Sequence, residues 1–140
     1  MAASLGIRAL LAVRRYCSDL EATASFHRKI LGFQEMARSS PALEAATGER
    51  TISLRAGRSV VLCTSALGPS PAARFLSLHR EGIGEVILSV DDVAAAERAI
   101  LENGGALLDE IGPSTIGPGR ELCLMSPIDD VVFRLVELPG

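Results

Sequence analysis

The chain contains the stretch Ala12-Val13-Arg14-Arg15-Tyr16-Cys17-Ser18-Asp19-Leu20, and a stretch of the same pattern, Glu85-Val86-Ile87-Leu88-Ser89-Val90-Asp91-Asp92-Val93, begins 73 positions later (85 minus 12). Each copy runs from strand-forming residues into an acidic turn whose side chains can cap a following helix. The correspondence continues without a gap to Leu31-Gly32-Phe33 and Gly104-Gly105-Ala106, where a glycine would end each helix. The sequence therefore predicts two copies of one strand-turn-helix unit.

Length and composition favour one compact domain. The chain has 140 residues, of which 48% are hydrophobic, so it can bury one core but is too short for two independent domains. Its formal net charge of -3 and its lack of a basic run predict no nucleic-acid partner. No apolar run approaches the roughly 20 residues of a membrane helix, and the first residues lack the pattern of a secretory signal. The three cysteines have no metal-motif spacing and fit reduced thiols, so we expect a cytoplasmic protein without a membrane partner.

Apolar periodicity and turn residues divide each copy further. The first copy predicts, in order, a strand over 10–17, a helix from about residue 20 to residue 31, a strand over 33–38, a connecting loop over 39–48 and a hairpin of strands 50–54 and 59–65. The second copy predicts a strand over 83–90, a helix over 93–103, a strand over 106–111, a flexible loop over 113–119 and a hairpin of strands 120–125 and 131–138.

Both halves therefore follow the order β-α-β-β-β. Two such modules predict an α+β fold in which curved sheets surround a cavity and the helices cover the outer face. We expect a single domain over 1–140, with module one at about 8–66, a bridge at about 67–82 and module two at about 83–138. The stretch Ile116-Gly117-Pro118-Gly119 is interpreted as a mobile flap over the cavity, with a plain surface loop as the alternative.

The opening residues of the first copy carry a family resemblance. Asp19-Leu20, Phe26 and Leu31-Gly32-Phe33 resemble the signature of the vicinal oxygen chelate (VOC) superfamily of glyoxalases, bleomycin-resistance proteins and dioxygenases. Residues 62–67 and 79–86 are similar to the amino-terminal half of 4-hydroxyphenylpyruvate dioxygenase and hydroxymandelate synthase. The resemblance covers about residues 8–138 and implies the fold more firmly than any chemistry, because one fold hosts many reactions. It also implies a metal-free chain, since the iron of the dioxygenase belongs to its other half.

In metal-binding members of that superfamily, the ligands come from the first and last strands of each copy. The resemblance, with residues 60–64 aligned on 131–135, gives Ala12, Cys63, Glu85 and Arg134 for those places. Ala12 has no donor atom and Arg134 would repel a cation, so too few ligands remain for zinc or non-haem iron. We therefore expect no metal and no cofactor.

Glu85 and Arg134 are opposite charges on the predicted inner face of a sheet, where an unpaired charge is costly. Glu85 can act as a general base that takes a proton from carbon or a hydroxyl. Arg134 or Arg14 can then stabilise an enolate or hold a carboxylate, and Tyr16 can donate a hydrogen bond or a proton. The alternative is a structural Glu–Arg ion pair that takes over the crosslinking role of a metal.

Further side chains are assigned by the alternation of strand faces. Ser89 shares its face with Glu85, and Val132 shares its face with Arg134, so both are expected to line the substrate site together with Cys63. Cys63 is interpreted as a buried thiol, with a nucleophile as the alternative. His27 and His79 are expected to be surface or structural residues.

Three functional hypotheses follow. The first is a metal-independent isomerase, cyclase or lyase that acts on a carbonyl or aromatic metabolite of specialised metabolism. The second is a small-molecule binding protein of the resistance type, and the third is a subunit that resembles a metal-dependent dioxygenase or isomerase. The third would pair with a partner that carries the metal. The superfamily resemblance implies a small-molecule substrate or ligand, and by the same analogy we expect a homodimer.

Overall fold

The computed structural model describes residues 3–139. It contains two compact units, one formed by Ala12–Gly84 and one formed by the residues before Ala12 together with those from Glu85 onward. The elements in chain order are β1 (Ile7–Tyr16), α1 (Leu20–Lys29), β2 (Gln34–Arg38), α2 (Pro41–Thr47), β3 (Glu49–Ala56), β4 (Ser59–Ala66), α3 (Pro71–His79), β5 (Gly82–Val90), α4 (Val93–Glu102), β6 (Gly112–Pro113), β7 (Arg120–Met125) and β8 (Val132–Glu137). The predicted α+β class is confirmed.

In the unit Ala12–Gly84 the strand order is β2-β3-β4-β1, with β1 parallel to β4 and the other pairs antiparallel. Helix α1 begins because the side chain of Asp19 accepts a hydrogen bond from the backbone N–H of Ala22. The apolar side of α1 then packs on the sheet through a cluster of Cys17, Leu20, Ala24, Ile52, Leu54 and Cys63. One face of this sheet is therefore covered by the helix.

In the second unit the strand order is β5-β8-β7-β6, with β5 parallel to β8 and β7 antiparallel to its neighbours. Asp92 caps α4 by accepting from the backbone N–H groups of Ala94 and Ala95. The helix packs on the sheet through a cluster of Val90, Val93, Ala96, Ile100, Leu122 and Leu135. Because side chains alternate along a strand, Glu85 on β5 and Arg134 on β8 lie on the face opposite this cluster.

The prediction of a loop over residues 39–48 is wrong, because the segment contains α2. Ser40 caps this helix by accepting from the N–H of Leu43, and Pro41 occupies its first turn. Gly48 ends the helix in the left-handed conformation, with φ of 72°. A serine followed by a proline is compatible with a loop, but it is also a signal for the start of a helix, because serine caps a helix and proline fits its first turn.

The prediction of a strand over residues 106–111 is also wrong. The sixth strand is limited to Gly112–Pro113, which pair with Glu121 and Arg120. Leu107 and Ile111 nevertheless pack on the α4 cluster. Their apolar pattern arises from burial in the core, which does not require a hydrogen-bonded strand.

Within the part of the chain that the structure describes, no helix combines the length and the apolar character needed to cross a membrane.

Candidate active site

Glu85 and Arg134 form a bidentate ion pair. It lies on the face of the second unit's sheet that α4 does not cover. The Nε of Arg134 donates to Oε1 of Glu85 at 3.3 Å, and Nη2 donates to Oε2 at 3.0 Å. Only 4% of the Glu85 side chain and 17% of the Arg134 side chain are exposed to solvent. Both charges are thus largely withdrawn from water, and the side-on geometry is the stronger form of an Arg–carboxylate contact.

A second carboxylate, Glu121 on β7, completes the cluster. Its Oε2 accepts a hydrogen bond from Nη1 of Arg134, and its Oε1 accepts from both the backbone N–H (2.7 Å) and the hydroxyl (3.1 Å) of Thr115. The Thr115 hydroxyl also accepts from Nη1 of Arg134, at 3.1 Å. We call Glu85, Arg134, Glu121 and Thr115 the carboxylate–arginine cluster. With two acidic groups and one guanidinium, its formal charge is -1.

The sequence-based site did not include Glu121 and Thr115. A signal for Glu121 was present, because it is an acidic residue in the otherwise mostly apolar strand Arg120–Met125 and shares a strand face with Cys123. The cross-strand register pairs Cys123 with Arg134, which puts Glu121 on the side of the guanidinium. Thr115 carried no such signal, because its position depends on the path of a loop.

The loop that carries Thr115 is closed at its base. The backbone N–H of Ser114 donates to the carbonyl oxygen of Gly119 at 2.9 Å. Gly119 has φ of 106°, and a Cβ there would lie 2.1 Å from the carbonyl oxygen of Glu137, so only glycine fits. Thr115 and Gly119 therefore fix the base of the stretch interpreted as a flap, and its role as a mobile cover remains a prediction.

Arg134 stays charged despite its burial. Burial by itself would lower the pKa of Arg134, but hydrogen bonds and the negative charge of Glu85, assisted by Glu121, raise that pKa above its ordinary value. Four of its five N–H donors have an acceptor within residues 3–139, which leaves one N–H on Nη2. The guanidinium can therefore offer a hydrogen bond to a ligand oxygen while it holds Glu85.

The unit Ala12–Gly84 has a group of polar side chains on the face of its sheet that α1 does not cover. Nη1 of Arg14 donates to the hydroxyl oxygens of Thr64 (2.9 Å) and Thr51 (3.3 Å), which are 2.9 Å from each other. Thr64 is fully buried. The threonines hold the guanidinium of Arg14 in one orientation, as an anchoring residue requires.

Tyr16 lies in a tight aromatic contact within the same unit. Its ring is 5.0 Å from the ring of Phe75, which in turn is 5.0 Å from the ring of His79. Gly84 makes this packing possible, because a Cβ at that position would be 2.6 Å from two ring carbons of Tyr16. The ring of Tyr16 is thus fixed by its surroundings.

The structure corrects the position of Cys63. The strand register pairs Arg14 with Leu62. In the second copy it pairs Ile87, the counterpart of Arg14, with Arg134. Leu62 rather than Cys63 therefore corresponds to Arg134. A shift of one residue turns a strand side chain to the opposite face. Cys63 is completely buried in the α1 cluster, on the face of the sheet that α1 covers, and not on the inner face predicted for it.

Ser89 and Val132 are the other two residues predicted to line the site, and that role stays a prediction. Ser89 is buried on β5, four positions after Glu85 and on the same face. Val132 is the cross-strand partner of Glu85. His27 is buried against Phe33 with its Nδ1 2.9 Å from the carbonyl oxygen of Thr23, which fits the structural role expected for it.

A divalent metal ion does not fit the carboxylate–arginine cluster. The guanidinium of Arg134 contacts both carboxylates that would serve as ligands, and its positive charge opposes a second cation. Across residues 3–139, no three His, Cys, Asp or Glu side chains are grouped as a metal site would require. Of the four places implied by the resemblance, Ala12 offers no donor and Cys63 points into a core.

The raised pKa values of two cysteine thiols predict a loss of folding stability at alkaline pH. Burial raises the pKa of Cys63 and that of Cys123 to about 11. The neutral thiols are therefore favoured in the folded state. Their contribution to the free energy of unfolding is complete below the ordinary pKa of about 8.5, and it is lost as the pH rises to about 11. We expect urea denaturation midpoints to fall over that interval. Replacing both cysteines with alanine should make the denaturation midpoint fall less steeply with pH. An equally steep fall in that variant would show that the two thiols do not cause the loss of stability.

The family model described as Glyoxalase/Bleomycin resistance protein/Dioxygenase superfamily matches residues 9–129. No curated protein matches the chain at a significant level.

Solved structures with a similar fold include two epimerases and one synthase. Methylmalonyl-CoA epimerase from Mycobacterium tuberculosis is 23% identical, with a TM-score of 0.79 over 100% of this chain and 94% of its own. Methylmalonyl-CoA epimerase from Streptomyces coelicolor, in complex with 2-nitronate-propionyl-CoA, is 24% identical, with a TM-score of 0.76 over 96% of this chain and 99% of its own. A mutant of 4-hydroxymandelate synthase from Streptomyces coelicolor is 23% identical, with a TM-score of 0.84 over 96% of this chain and 40% of its own. The predicted likeness to one half of such a synthase is confirmed at the level of fold.

Proposed function

The chain belongs to the Glyoxalase/Bleomycin resistance protein/Dioxygenase superfamily, and we propose that it is a metal-independent enzyme that moves a proton next to a carbonyl group of a small molecule. In this proposal Glu85 is the base and Arg134 binds the carbonyl oxygen. The reaction type is an isomerisation, or the related cyclisation or elimination that starts from the same enolate. Two of the similar structures are epimerases, a class of reaction that the same proton transfer supports.

The observation that carries the proposal is the side-on contact between Glu85 and Arg134 combined with the remaining N–H on Nη2. Glu85 takes the proton from the carbon next to the carbonyl group, and the electron pair of that C–H bond moves onto the carbonyl oxygen. The negative charge thus leaves Glu85 and appears on the substrate oxygen, and the guanidinium contacts both. Return of the proton to carbon completes the isomerisation without any oxidant or metal ion.

A fixed guanidinium is suited to this task. Donors that already point at the developing charge need no reorganisation during the reaction, and they act strongly where water is excluded. Thr115 and Glu121 hold Nη1 of Arg134, so the orientation of the group is set before a ligand arrives. Ser89 and Val132 are proposed to line this site. The roles of Arg14 and Tyr16, which belong to the unit Ala12–Gly84, stay predictions.

The experiment is hydrogen exchange into carbonyl compounds in deuterated water. We expect the wild-type protein to accelerate deuterium incorporation next to the carbonyl group of at least one member of a panel of ketones, aldehydes and thioesters, followed by proton NMR. Glu85→Gln should reduce the acceleration by about 10²–10⁴-fold, the usual contribution of a general base. The matched control is Glu35→Gln, which alters a carboxylate that is also paired with arginines but belongs to the other unit. Equal exchange by Glu85→Gln and the wild type would refute the proposal.

The second candidate function is ligand binding without catalysis, with Glu85 and Arg134 as a structural ion pair. The hydrogen bonds to both carboxylate oxygens of Glu121 favour it, because they are typical of a structural crosslink. Under this reading the protein binds a ligand without changing it, and Glu85 only crosslinks the sheet. Tight binding of a ligand that is recovered unchanged, without any exchange at carbon, would support this reading over catalysis. A homodimer is proposed for either function, and sedimentation at micromolar concentration that gives a monomer would overturn it.

A further inference from the structure

We propose that Met125 is a specificity-determining residue, and that the substrate carries an apolar group, alkyl or aryl, on the carbon that Glu85 deprotonates. This inference rests on the proposed function, because it concerns the part of the substrate next to the reacting carbon. It narrows the substrate from any small carbonyl compound to one with an apolar substituent beside the carbonyl group.

Strand pairing puts Met125 and Val132 in one row with Glu85. Val132 is the cross-strand partner of Glu85 on one side and of Met125 on the other. Leu124, the residue before Met125, packs on the α4 cluster, so Met125 points to the opposite face of the sheet. Glu85 and Val132 share that face. Within the second unit, the proposed base therefore has two apolar side chains beside it in its own row.

These two apolar side chains are accessible. Met125 and Val132 each keep part of their surface exposed to solvent. Ile87 and Val136, which share their face, are completely buried. Apolar surface that remains exposed next to a buried carboxylate gains free energy when an apolar ligand group covers it, in proportion to the area covered. The row of Met125 and Val132 can therefore bind such a group.

The contacts of Arg134 determine the direction in which the substrate extends. Glu121, which accepts from Nη1, lies on one side of Arg134 along the strands. Glu85 lies on the other side, in the row of Val132 and Met125. The carbonyl oxygen meets Arg134 and the C–H bond faces Glu85, so the reacting carbon lies over this row. Its substituent then meets Val132 and Met125.

Met125 sets the size of that substituent. Valine is branched at Cβ and stiff, whereas methionine has a flexible, unbranched side chain that adapts to the shape of a partner. Cys123, the cross-strand partner of Arg134, is the next side chain on this face of β7. Burial raises the pKa of the Cys123 thiol to about 11, so this neighbour carries no charge at neutral pH. The β7 side of the site is therefore uncharged at Cys123 and adaptable at Met125.

The binding test uses a homologous series of methyl ketones, namely acetone, butanone, methyl propyl ketone and methyl butyl ketone. The methyl groups of the methionines are labelled with 13C, and binding is followed by the NMR signal of Met125. We expect the dissociation constant to fall about fourfold for each of the first carbons added, as burial of one methylene group requires. The signal of Met36, which is 47% exposed and belongs to the other unit, should not move.

The variant Met125→Gln keeps the length of the side chain and makes its end polar. In deuterium exchange, we expect kcat/KM of the wild type to rise about fourfold per added carbon. In Met125→Gln this gain should fall below about twofold, because an alkyl group that covers an amide leaves it without hydrogen bonds. The matched control is Met36→Gln, which makes the same change at the exposed methionine and should keep the wild-type gain.

The outcomes separate this inference from the proposed function. Exchange that depends on Glu85 but not on ketone length would overturn the role of Met125 and leave the proposed function intact. An unchanged length dependence in a folded Met125→Gln variant would do the same. A length-dependent shift of the Met125 signal without any deuterium exchange would support the apolar contact and refute the proposed base. If no ketone moves the Met125 signal of the wild type, the inference is overturned, whether or not Met125→Gln folds.

Discussion

Replacing Arg134 with methionine is expected to lower the free energy of unfolding by about 3–5 kcal/mol, the range found when one partner of a buried ion pair is removed. The change leaves Glu85 and Glu121 buried without the guanidinium that now contacts both. Both carboxylates then lose the hydrogen bonds of the guanidinium, and their negative charges repel each other in a poorly hydrated place. Urea denaturation at pH 7 measures the effect.

The chain offers a matched control for this prediction. Arg38 also bridges two carboxylates, those of Glu21 and Glu35, but 44% of its side chain is exposed. Solvent screens such pairs, so Arg38→Met should cost no more than about 1 kcal/mol. Similar losses in both variants would contradict the view that the cluster around Arg134 is buried and strongly coupled.

Replacing Arg134 with lysine is expected to slow hydrogen exchange at carbon by about 10²–10³-fold, the usual result of losing one donor to a developing oxyanion. Lysine keeps the positive charge but lacks the planar fork, so it cannot hold both oxygens of Glu85 and still present an oriented N–H to the substrate. The rate of deuterium incorporation, compared at saturating substrate, measures the loss.

Arg38→Lys is the control for this second variant, since it makes the same chemical change at an exposed bridge. Its exchange rate should match that of the wild type. A wild-type rate in Arg134→Lys would mean that only the charge of residue 134 matters, and the role given to the open N–H would be lost.

The sequence predicted the features that local chemistry determines. Asp19 and Asp92 were among the expected helix caps because a short acidic side chain can accept from the first N–H groups of a helix. Glu85 and Arg134 were singled out because a charge on the inner face of a sheet is unusual, and alternation along each strand indicated that face. The structure adds that the two side chains are in direct contact.

The misplaced and missing residues depend on register and on loop paths. Cys63 was misplaced because an alignment without coordinates cannot distinguish a one-residue shift between two apolar strands. Glu121 and Thr115 were missed because their contact with Arg134 is set by the β7–β8 pairing and by the closed loop from Ser114 to Gly119. Such features are fixed by long-range pairing, which no short sequence pattern records.

The most direct test of the account is a double-mutant cycle in the deuterium exchange rate, with Glu85→Gln, Arg134→Lys and the combined variant. If Glu85 and Arg134 act as one unit on the same proton transfer, the combined variant should lose no more rate than the more damaging single change. Losses that multiply would show that the two residues act independently, and this result would contradict the account.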